Sequence, residues 1–282
     1  MTTTNEFIST PTVAGAHRPD AYVMAPTDAV PDAAILHHAT IAGTIDGDAP
    51  VVRVGYVNDA DAAFITEGTE ITDTTPELSE ALIHTAKIAM LVRVTREQYR
   101  QTNTPDQLAA SVSRTMVRSA DLAFLAQTAP TAPATAPCTG LANLTGIATA
   151  TGVSGDLDKL IDLEAQVRTA GATPNVWLMS PSAWAGLRKM KQATSSKMGL
   201  LGAGTDQAEP ALLSIPVIVN NSVPTGTGLL IDPTEIIAAV SALEFAVSMD
   251  CYFNSDAVGI RATWRTGFTV PRPTRVGKFT MA

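Results

Sequence analysis

The sequence is poor in residues that define several common classes of protein. Only two cysteines occur among its 282 residues, Cys138 and Cys251, so a disulfide-stapled scaffold and a cysteine-rich zinc site are excluded. In a reducing cytoplasm we expect both to be free thiols. Aromatic residues make up 5% of the chain against 45% hydrophobic residues overall, so the core must be built mainly from Ala, Val, Leu and Ile.

Long apolar runs and basic charge are also scarce. The longest apolar candidate, residues 236–247, is shorter than the roughly 18 residues of a membrane span, and it contains Glu244. The first ten residues lack the basic start and apolar stretch of a secretory signal, which predicts a soluble cytoplasmic protein. The formal charge of −8 is opposite to that of a groove-reading nucleic-acid binder. It suits a protein that encloses nucleic acid without gripping it, and equally an ordinary acidic cytosolic protein.

Catalytic motifs are missing as well. Residues 152–155 (GVSG) lack the spacing of a nucleophile elbow, and the Gly-Lys pair at 277–278 is not followed by the Ser or Thr of a phosphate-binding loop. No carboxylate stands at a helical metal-ligand spacing from any of the four histidines, His17, His37, His38 and His84. We therefore predict no catalytic residue, no metal and no cofactor, and a protein that is not an enzyme.

Residues 1–50 carry no sustained period of 2 or 3.6 and are rich in Pro, Thr and Ala. A short helix is predicted around residues 32–42, ending at Gly43. Such a segment cannot bury much of itself, so it is either disordered or an arm laid across something else. We expect a chain that lacks residues 1–45 to fold still.

Two extended runs follow and predict a long hairpin. Residues 51–57 (VVRVGYV) form a strand by their β-branched content. The second run spans residues 78–95, and apolar residues alternate there with Lys87 and Arg93. The outer half of this hairpin is polar on both faces. Because a two-stranded ribbon alone is marginal in water, we expect the hairpin to project or to find a partner.

The rest of the chain alternates helices and strands. A capping box and an N-terminal proline at residues 104–107 begin a helix that runs to about Gln127, and a linker with three prolines follows at 128–137. Helices are also predicted from Ser154 to Gly171 and from Ser180 to about Gln192. Strands are predicted at residues 175–180, 215–220, 228–232, 236–250 and 258–270. This order indicates an α+β or α/β chain.

Several segments, in this order, resemble the major capsid proteins of tailed bacteriophages, which have the Hong Kong 97-like capsid fold. The resemblance covers about residues 50–282. The segments that carry it are AAFITEGTEIT (62–72), KIAMLVRVTRE (87–97), SADLAFLAQ (119–127), GLANLTGI (140–147), NVWLMSPSAWAGLRKMKQ (175–192), LLSIPVIVNNSVP (212–224) and IRATWRTG (260–267). No single segment is diagnostic, and the specificity lies in their order.

The resemblance implies an α+β fold and a particular division of the chain. The implied division is an N-terminal arm (1–50), an extended loop hairpin with its flanking strands (51–95), a peripheral domain with a long spine helix (96–137, completed by 250–282) and an axial domain (138–249). Proteins of this family form hexamers and pentamers of an icosahedral shell that encloses double-stranded phage DNA without specific binding. We therefore expect the protein in the virion, assembled in the host cytoplasm, and not in a membrane.

The resemblance also implies where neighbouring subunits meet. The expected subunit-interface residues lie on the hairpin and the strand that closes it: Phe64, Glu67, Gly68, Glu70, Lys87, Arg93 and Arg96. Other partners expected of this family are a portal, a decoration protein and a scaffolding protein. Since only about 50 residues precede the first strand, we expect scaffolding to be separate or absent. No lysine occurs between Val57 and His84, so we expect no isopeptide cross-link.

Three alternatives stand beside this interpretation. An encapsulin-like bacterial nanocompartment shares the fold but encloses proteins. A soluble α/β enzyme would need a pocket with clustered perturbed groups. A secreted interaction module would need a signal peptide.

Overall fold

The computed structural model describes residues 21–45, 47–58, 64, 77–101, 104–192, 199–201 and 210–282. Its helices are α1 (Pro26–Ala29), α2 (Ala34–His38), α3 (Arg96–Tyr99), α4 (Thr104–Ala126), α5 (Asp158–Thr169) and α6 (Pro181–Lys189). Its strands are β1 (Ala21–Met24), β2 (Thr40–Thr44), β3 (Val51–Asn58), β4 (Glu77–His84), β5 (Ala86–Thr95), β6 (Ala148–Val153), β7 (Val176–Met179), β8 (Ala211–Leu212), β9 (Ile215–Val219), β10 (Thr227–Ile231), β11 (Ile237–Val240), β12 (Leu243–Tyr252), β13 (Ala257–Thr269) and β14 (Gly277–Met281). The fold is α+β, as predicted.

Strand β13 is the axis of the first sheet. It pairs antiparallel with β5 on one side and with β12 and β11 on the other. Strand β1 adds to β12 antiparallel, and β2 adds to β11 parallel. Along β5, side chains alternate between the two faces, so Ile88, Met90 and Val92 pack against the core.

Helix α4 covers this inner face of the first sheet. Its apolar residues recur every four positions, and Val112, Met116 and Phe124 are at most 2% exposed. The ring of Phe124 meets that of Phe268 on β13 edge to face, with centroids 5.0 Å apart. Burial of each large apolar side chain here contributes about 1.5–3 kcal/mol, which holds the helix against the sheet.

The second sheet has the strand order β6-β14-β10-β7-β9-β8 and forms its own core with α5 and α6. All four residues of β7 are buried, and the Trp177 indole donates to the Leu212 carbonyl at 3.2 Å. The Ser180 hydroxyl accepts from the Ala183 N–H and caps α6, as the Ser-Pro pair predicts. Gly171, with φ +87°, ends α5 in the left-handed conformation.

Strands β3 and β4 form an antiparallel pair that runs in register from Val51↔His84 to Asn58↔Glu77. Within the described part of the chain neither strand belongs to the two larger sheets. The hairpin is therefore a two-stranded ribbon, as predicted, and it returns to the first sheet at Thr85. The single run predicted at 78–95 is thus two strands that belong to different sheets.

Two predicted helices differ from the structure, and some strands were not predicted. The helix expected at residues 32–42 ends at His38, because residues 40–44 pair with β11 instead. The helix expected from Ser154 begins at Asp158. Strands β1, β2 and β14 were not predicted, since pairing with distant strands forms each of them.

The expected division of the chain stays a prediction, and the two sheets include strands from both sides of its boundaries. Strand β11 and most of β12 fall within the range 138–249, yet both belong to the first sheet with β13. Strand β14 falls within 250–282, yet it pairs with β6 and β10 in the second sheet. These apolar strands have similar sequence patterns, so long-range pairing and not the local pattern determines the sheet to which each belongs.

None of the helices in the described part of the chain has the length and hydropathy of a membrane-spanning segment.

Candidate subunit interface

One face of the hairpin carries apolar side chains that remain open to solvent. Leu78 is 85% exposed, Leu82 is 46% exposed and Val57, which lies opposite Leu78 in the register, is 42% exposed. We call Val57, Leu78 and Leu82 the hairpin face. A solvent-exposed ion pair, Arg53–Glu80 at 3.6 Å, lies on the same face. The outer half of the hairpin, predicted to be polar on both faces, lies largely outside the described residues.

The other face of the hairpin is covered, but only near its base. Ile83 is fully buried and Ala81 is 6% exposed, and Ile83 packs with Ile45 and Ala239 of the same chain. Because successive residues of a strand point to opposite faces, covering Ala81 and Ile83 leaves Leu78 and Leu82 uncovered. The subunit thus anchors the hairpin by its base, and the described residues provide no apolar cover for the opposite face.

The predicted interface residues of the hairpin tip are only partly placed by the structure. Phe64 is fully exposed, with a relative exposure of 109%. Glu67, Gly68 and Glu70 lie outside the described residues. A fully exposed phenylalanine is a feature that contact with another molecule can explain.

The three basic residues predicted for the interface do not form one cluster. Lys87 lies at the start of β5 on its exposed face, and Arg93 lies on the same face near the other end of the strand. The Arg93 guanidinium sits 4.7 Å from the ring centre of Tyr252. Arg96 pairs with Asp256 at 2.8 Å and donates to the Met249 carbonyl at 3.1 Å. The structure thus brings Arg93 and Arg96 to the end of the β12–β13 hairpin and leaves Lys87 apart.

Apolar residues that the sequence analysis missed surround this same end. Leu91 is 59% exposed, Met249 is 44% exposed and Phe253 is 79% exposed. Leu91 shares the exposed face of β5 with Lys87 and Arg93 and lies opposite Arg261 of β13. The alternation along β5 carried the signal, because any residue in register with Lys87 and Arg93 must share their exposed face.

The buried titratable groups serve internal contacts. Burial raises the pKa of Asp121, whose carboxylate accepts from the Ala34 N–H at 2.7 Å and from the Asn220 amide at 2.8 Å. Burial also raises the pKa of the Cys138 thiol, which is free, as is Cys251. Among the residues that the structure describes, no group of three or more His, Cys, Asp or Glu side chains could hold a metal ion.

Comparison with known proteins identifies the family. The sequence model of the phage capsid family matches residues 33–281. A search of curated protein sequences finds no match.

Solved structures share the fold at low sequence identity. A chain of Microbacterium phage Oxtober96 superposes with a TM-score of 0.69 at 16% identity, over 98% of this chain and 100% of that one. A chain of Gordonia phage Cozz gives 0.68 at 17% identity, over 92% of this chain and 87% of that one. A chain from the capsid of the native GTA particle gives 0.63 at 16% identity, over 88% of this chain and 89% of that one. None of these three comparisons supports the nanocompartment alternative. With its family match over residues 33–281, the chain belongs to the phage capsid family and is a major capsid protein, a structural subunit of the shell.

Proposed function

We propose that copies of this chain assemble as hexamers and pentamers into a closed icosahedral shell around double-stranded DNA. In this arrangement the hairpin face of one subunit lies against the exposed side of a neighbour's first sheet. Phe64, Glu67, Gly68 and Glu70 contribute from the hairpin, and Lys87, Arg93 and Arg96 from the sheet. The shell is part of the virion and is assembled in the host cytoplasm.

The observation that carries this proposal is the uncovered hairpin face. Leu78 at 85% exposure loses the stabilisation of about 1.5–3 kcal/mol that full burial of a leucine provides. A two-stranded ribbon has little stability of its own, so a neighbour that covers this face stabilises it twice, by burial and by ordering. Closed symmetry repeats each contact around the ring, and many moderate contacts then sum to a stable particle.

The charge of the chain supports enclosure of DNA without a specific site. Its formal net charge is −8, so the subunit as a whole repels phosphate groups. A genome held by confinement can leave again when the shell opens. A portal, a decoration protein and a separate scaffolding protein are further partners that this role calls for.

The test replaces both leucines of the hairpin face with serine, as Leu78→Ser/Leu82→Ser. The variant is expected to keep the thermal unfolding of the unassembled subunit and to lose at least about tenfold in particle yield, since about 1.4 kcal/mol per contact already changes an association constant tenfold. Negative-stain electron microscopy and sedimentation measure the yield.

Ile161→Ser is the matched control, because Ile161 is 49% exposed on α5, which packs on the second sheet. It is expected to assemble normally. A double variant that forms particles at the wild-type yield contradicts the hairpin contact. The contents of the particles test the enclosure of DNA: packaged DNA and a portal vertex support it, and shells filled with a cargo enzyme contradict it.

A further inference from the structure

We propose that Thr85 and Arg265 form a polar clamp that fixes the direction in which the hairpin leaves the subunit. They are positioning residues, since they act through the hairpin and need not touch a neighbour themselves. The inference rests on the proposed function in one respect, because the direction of the hairpin matters for assembly only if the hairpin contacts another subunit.

Thr85 joins the two strands at the hairpin base. It stands between β4 and β5, and only 4% of its surface is exposed. Its N–H donates to the Pro50 carbonyl at 2.9 Å, and its hydroxyl donates to the Ala49 carbonyl at 2.6 Å. One residue thus ties the chain that leaves the hairpin to the chain that enters it.

Arg265 ties this junction to the first sheet. Its Nη1 donates to the Thr85 hydroxyl oxygen at 3.2 Å, and its Nη2 pairs with the Asp48 carboxylate at 3.0 Å. The arginine extends from β13, the axis of the sheet, and its own backbone N–H donates to the Ser241 hydroxyl at 3.0 Å. Because the guanidinium is planar and has donors in a fixed arrangement, two such bonds restrict direction as well as distance.

The backbone at this point has no room to move inward. A Cβ atom added to Gly267 of β13 would lie 2.5 Å from the His84 carbonyl oxygen and 3.0 Å from the Ile83 side chain. The Cys138 thiol donates to the same carbonyl oxygen, with the sulfur 2.8 Å away. The end of β4 therefore crosses β13 at a distance that only glycine permits.

Together these contacts hold the hairpin base from two sides. The fully buried Ile83 fixes the apolar side, and the bonds of Thr85 fix the polar side. Rotation of the hairpin about its base would have to break the buried hydrogen bonds of Thr85 and leave their donors unpaired. The contributions are unequal, since Asp48 is 93% exposed and its ion pair is screened by solvent. The clamp thus depends on Thr85 and Arg265 far more than on Asp48.

The test measures hairpin direction in the full, unassembled chain. Spin labels are placed at Glu80→Cys on the hairpin and Arg114→Cys on α4, in a Cys251→Ser background, and their distance distribution is recorded by pulsed electron paramagnetic resonance. Thr85→Val, which keeps the shape but removes the hydroxyl, is expected to broaden the distribution and shift it by several ångströms. Thr85→Ser restores the hydroxyl and is expected to restore the wild-type distribution, and Asp48→Asn is expected to leave it unchanged.

Arg265→Met is the second variant, should Thr85→Val unfold. It keeps the apolar stem and removes both donors, and it is expected to broaden the distribution in the same way. Wild-type distributions in the folded clamp variants overturn the proposal. A broadened distribution with full particle yield upholds the clamp and contradicts the hairpin contact. Unchanged distributions, with particles lost in Leu78→Ser/Leu82→Ser, uphold the hairpin contact and overturn the clamp.

Discussion

Residues 25–45 and the hairpin formed by β3 and β4 are neighbours in the chain, but the subunit covers them to very different extents. In the first segment Val30, Ala33 and Ile35 are at most 2% exposed and belong to the main core. In the hairpin, Leu78 and Phe64 are among the most exposed apolar side chains described. The sequence predicted that residues 1–50 are disordered or laid across something else, but residues 25–45 contribute to the core of their own subunit.

Specific bonds as well as burial account for the difference. The carboxylate of Asp121 accepts from the Ala34 N–H, and the Ser113 hydroxyl donates to the Ala29 carbonyl at 2.7 Å, so α4 holds the N-terminal segment at two points. The hairpin face has no comparable partner among the described residues. A segment depends on other subunits when its apolar side chains find no cover in its own chain, whatever its regularity in sequence.

Deletion gives the largest expected effect. Removal of residues 1–45 is expected to abolish cooperative unfolding, because it strips Val30 and Ile35 from the core and the partner strand β2 from β11. Loss of each core side chain lowers the free energy of unfolding by about 2–5 kcal/mol. The loss of a few such side chains therefore exceeds the usual stability of a domain. Circular dichroism during heating measures the outcome. This reverses the expectation, drawn from the sequence, that such a chain would fold.

Two matched changes sharpen the contrast. Removal of residues 1–20 keeps every described contact of the N-terminal segment and is expected to leave the melting curve intact. Replacement of residues 66–77 by a short Gly-Ser turn is expected to spare folding and to weaken particles. If the 1–45 deletion melted like the wild type, the core role of residues 25–45 would be refuted.

Loss of the Asp121 carboxylate should have an intermediate effect on stability. Asp121→Ala is expected to lower the free energy of unfolding by about 1–3 kcal/mol, because it leaves the Ala34 N–H and the Asn220 amide without their acceptor. Urea denaturation measures the loss. Asp121→Asn keeps one acceptor oxygen and should lose less. Equal stability of the wild type and both variants would show that the hydrogen bonds of Asp121 do not hold residues 25–45.

The smallest effect concerns pH. Burial, with a smaller contribution from the charge of His37, lowers the pKa of His38 to about 4 from an ordinary value of 6.5. As the pH falls, His38 therefore takes up a proton in the unfolded chain before it does so in the folded chain. The contribution of neutral His38 to the free energy of unfolding is complete above pH 6.5 and decreases as the pH drops towards 4. We expect a loss of roughly 1 kcal/mol, reduced by the partial exposure of the ring.

Comparison of wild type with His38→Gln isolates this loss. Asp121 acts in the opposite sense, because burial raises its pKa and its contribution to stability is lost as the pH rises. His37→Gln is expected to keep most of the acid-dependent loss, since burial and not the neighbouring charge is the larger cause. The same pH dependence in wild type and His38→Gln would contradict the assignment.

The sequence predicted best those elements whose burial is local. The four-residue spacing in α4 and the apolar run of β7 correspond to buried surfaces, and Ser180 caps α6 as its position indicates. Strand β2 was missed because most of its residues are exposed and show no alternation. It is a strand because β11, some two hundred residues later, offers it backbone partners.

Prediction of the interface met a related difficulty. Strand alternation placed Lys87 and Arg93 on an exposed face, and the structure has them there. The same alternation puts Leu91 on that exposed face, but Leu91 and Leu78 were not selected, because an apolar residue in a strand is ordinarily assigned to a core. Their contact with neighbours, like that of Phe64 and Arg96, stays a prediction until a particle is examined.

Strand β14 has a consequence for how the protein is made. It follows every other described strand in the chain, yet it lies inside the second sheet, between β6 and β10. During translation, the edge of β10 that pairs with β14 therefore stays unpaired until β14 has been synthesised. An unpaired strand edge promotes aggregation. A nascent chain cut short before Gly277 leaves that gap unfilled, so truncated products cannot present a finished subunit to a growing shell.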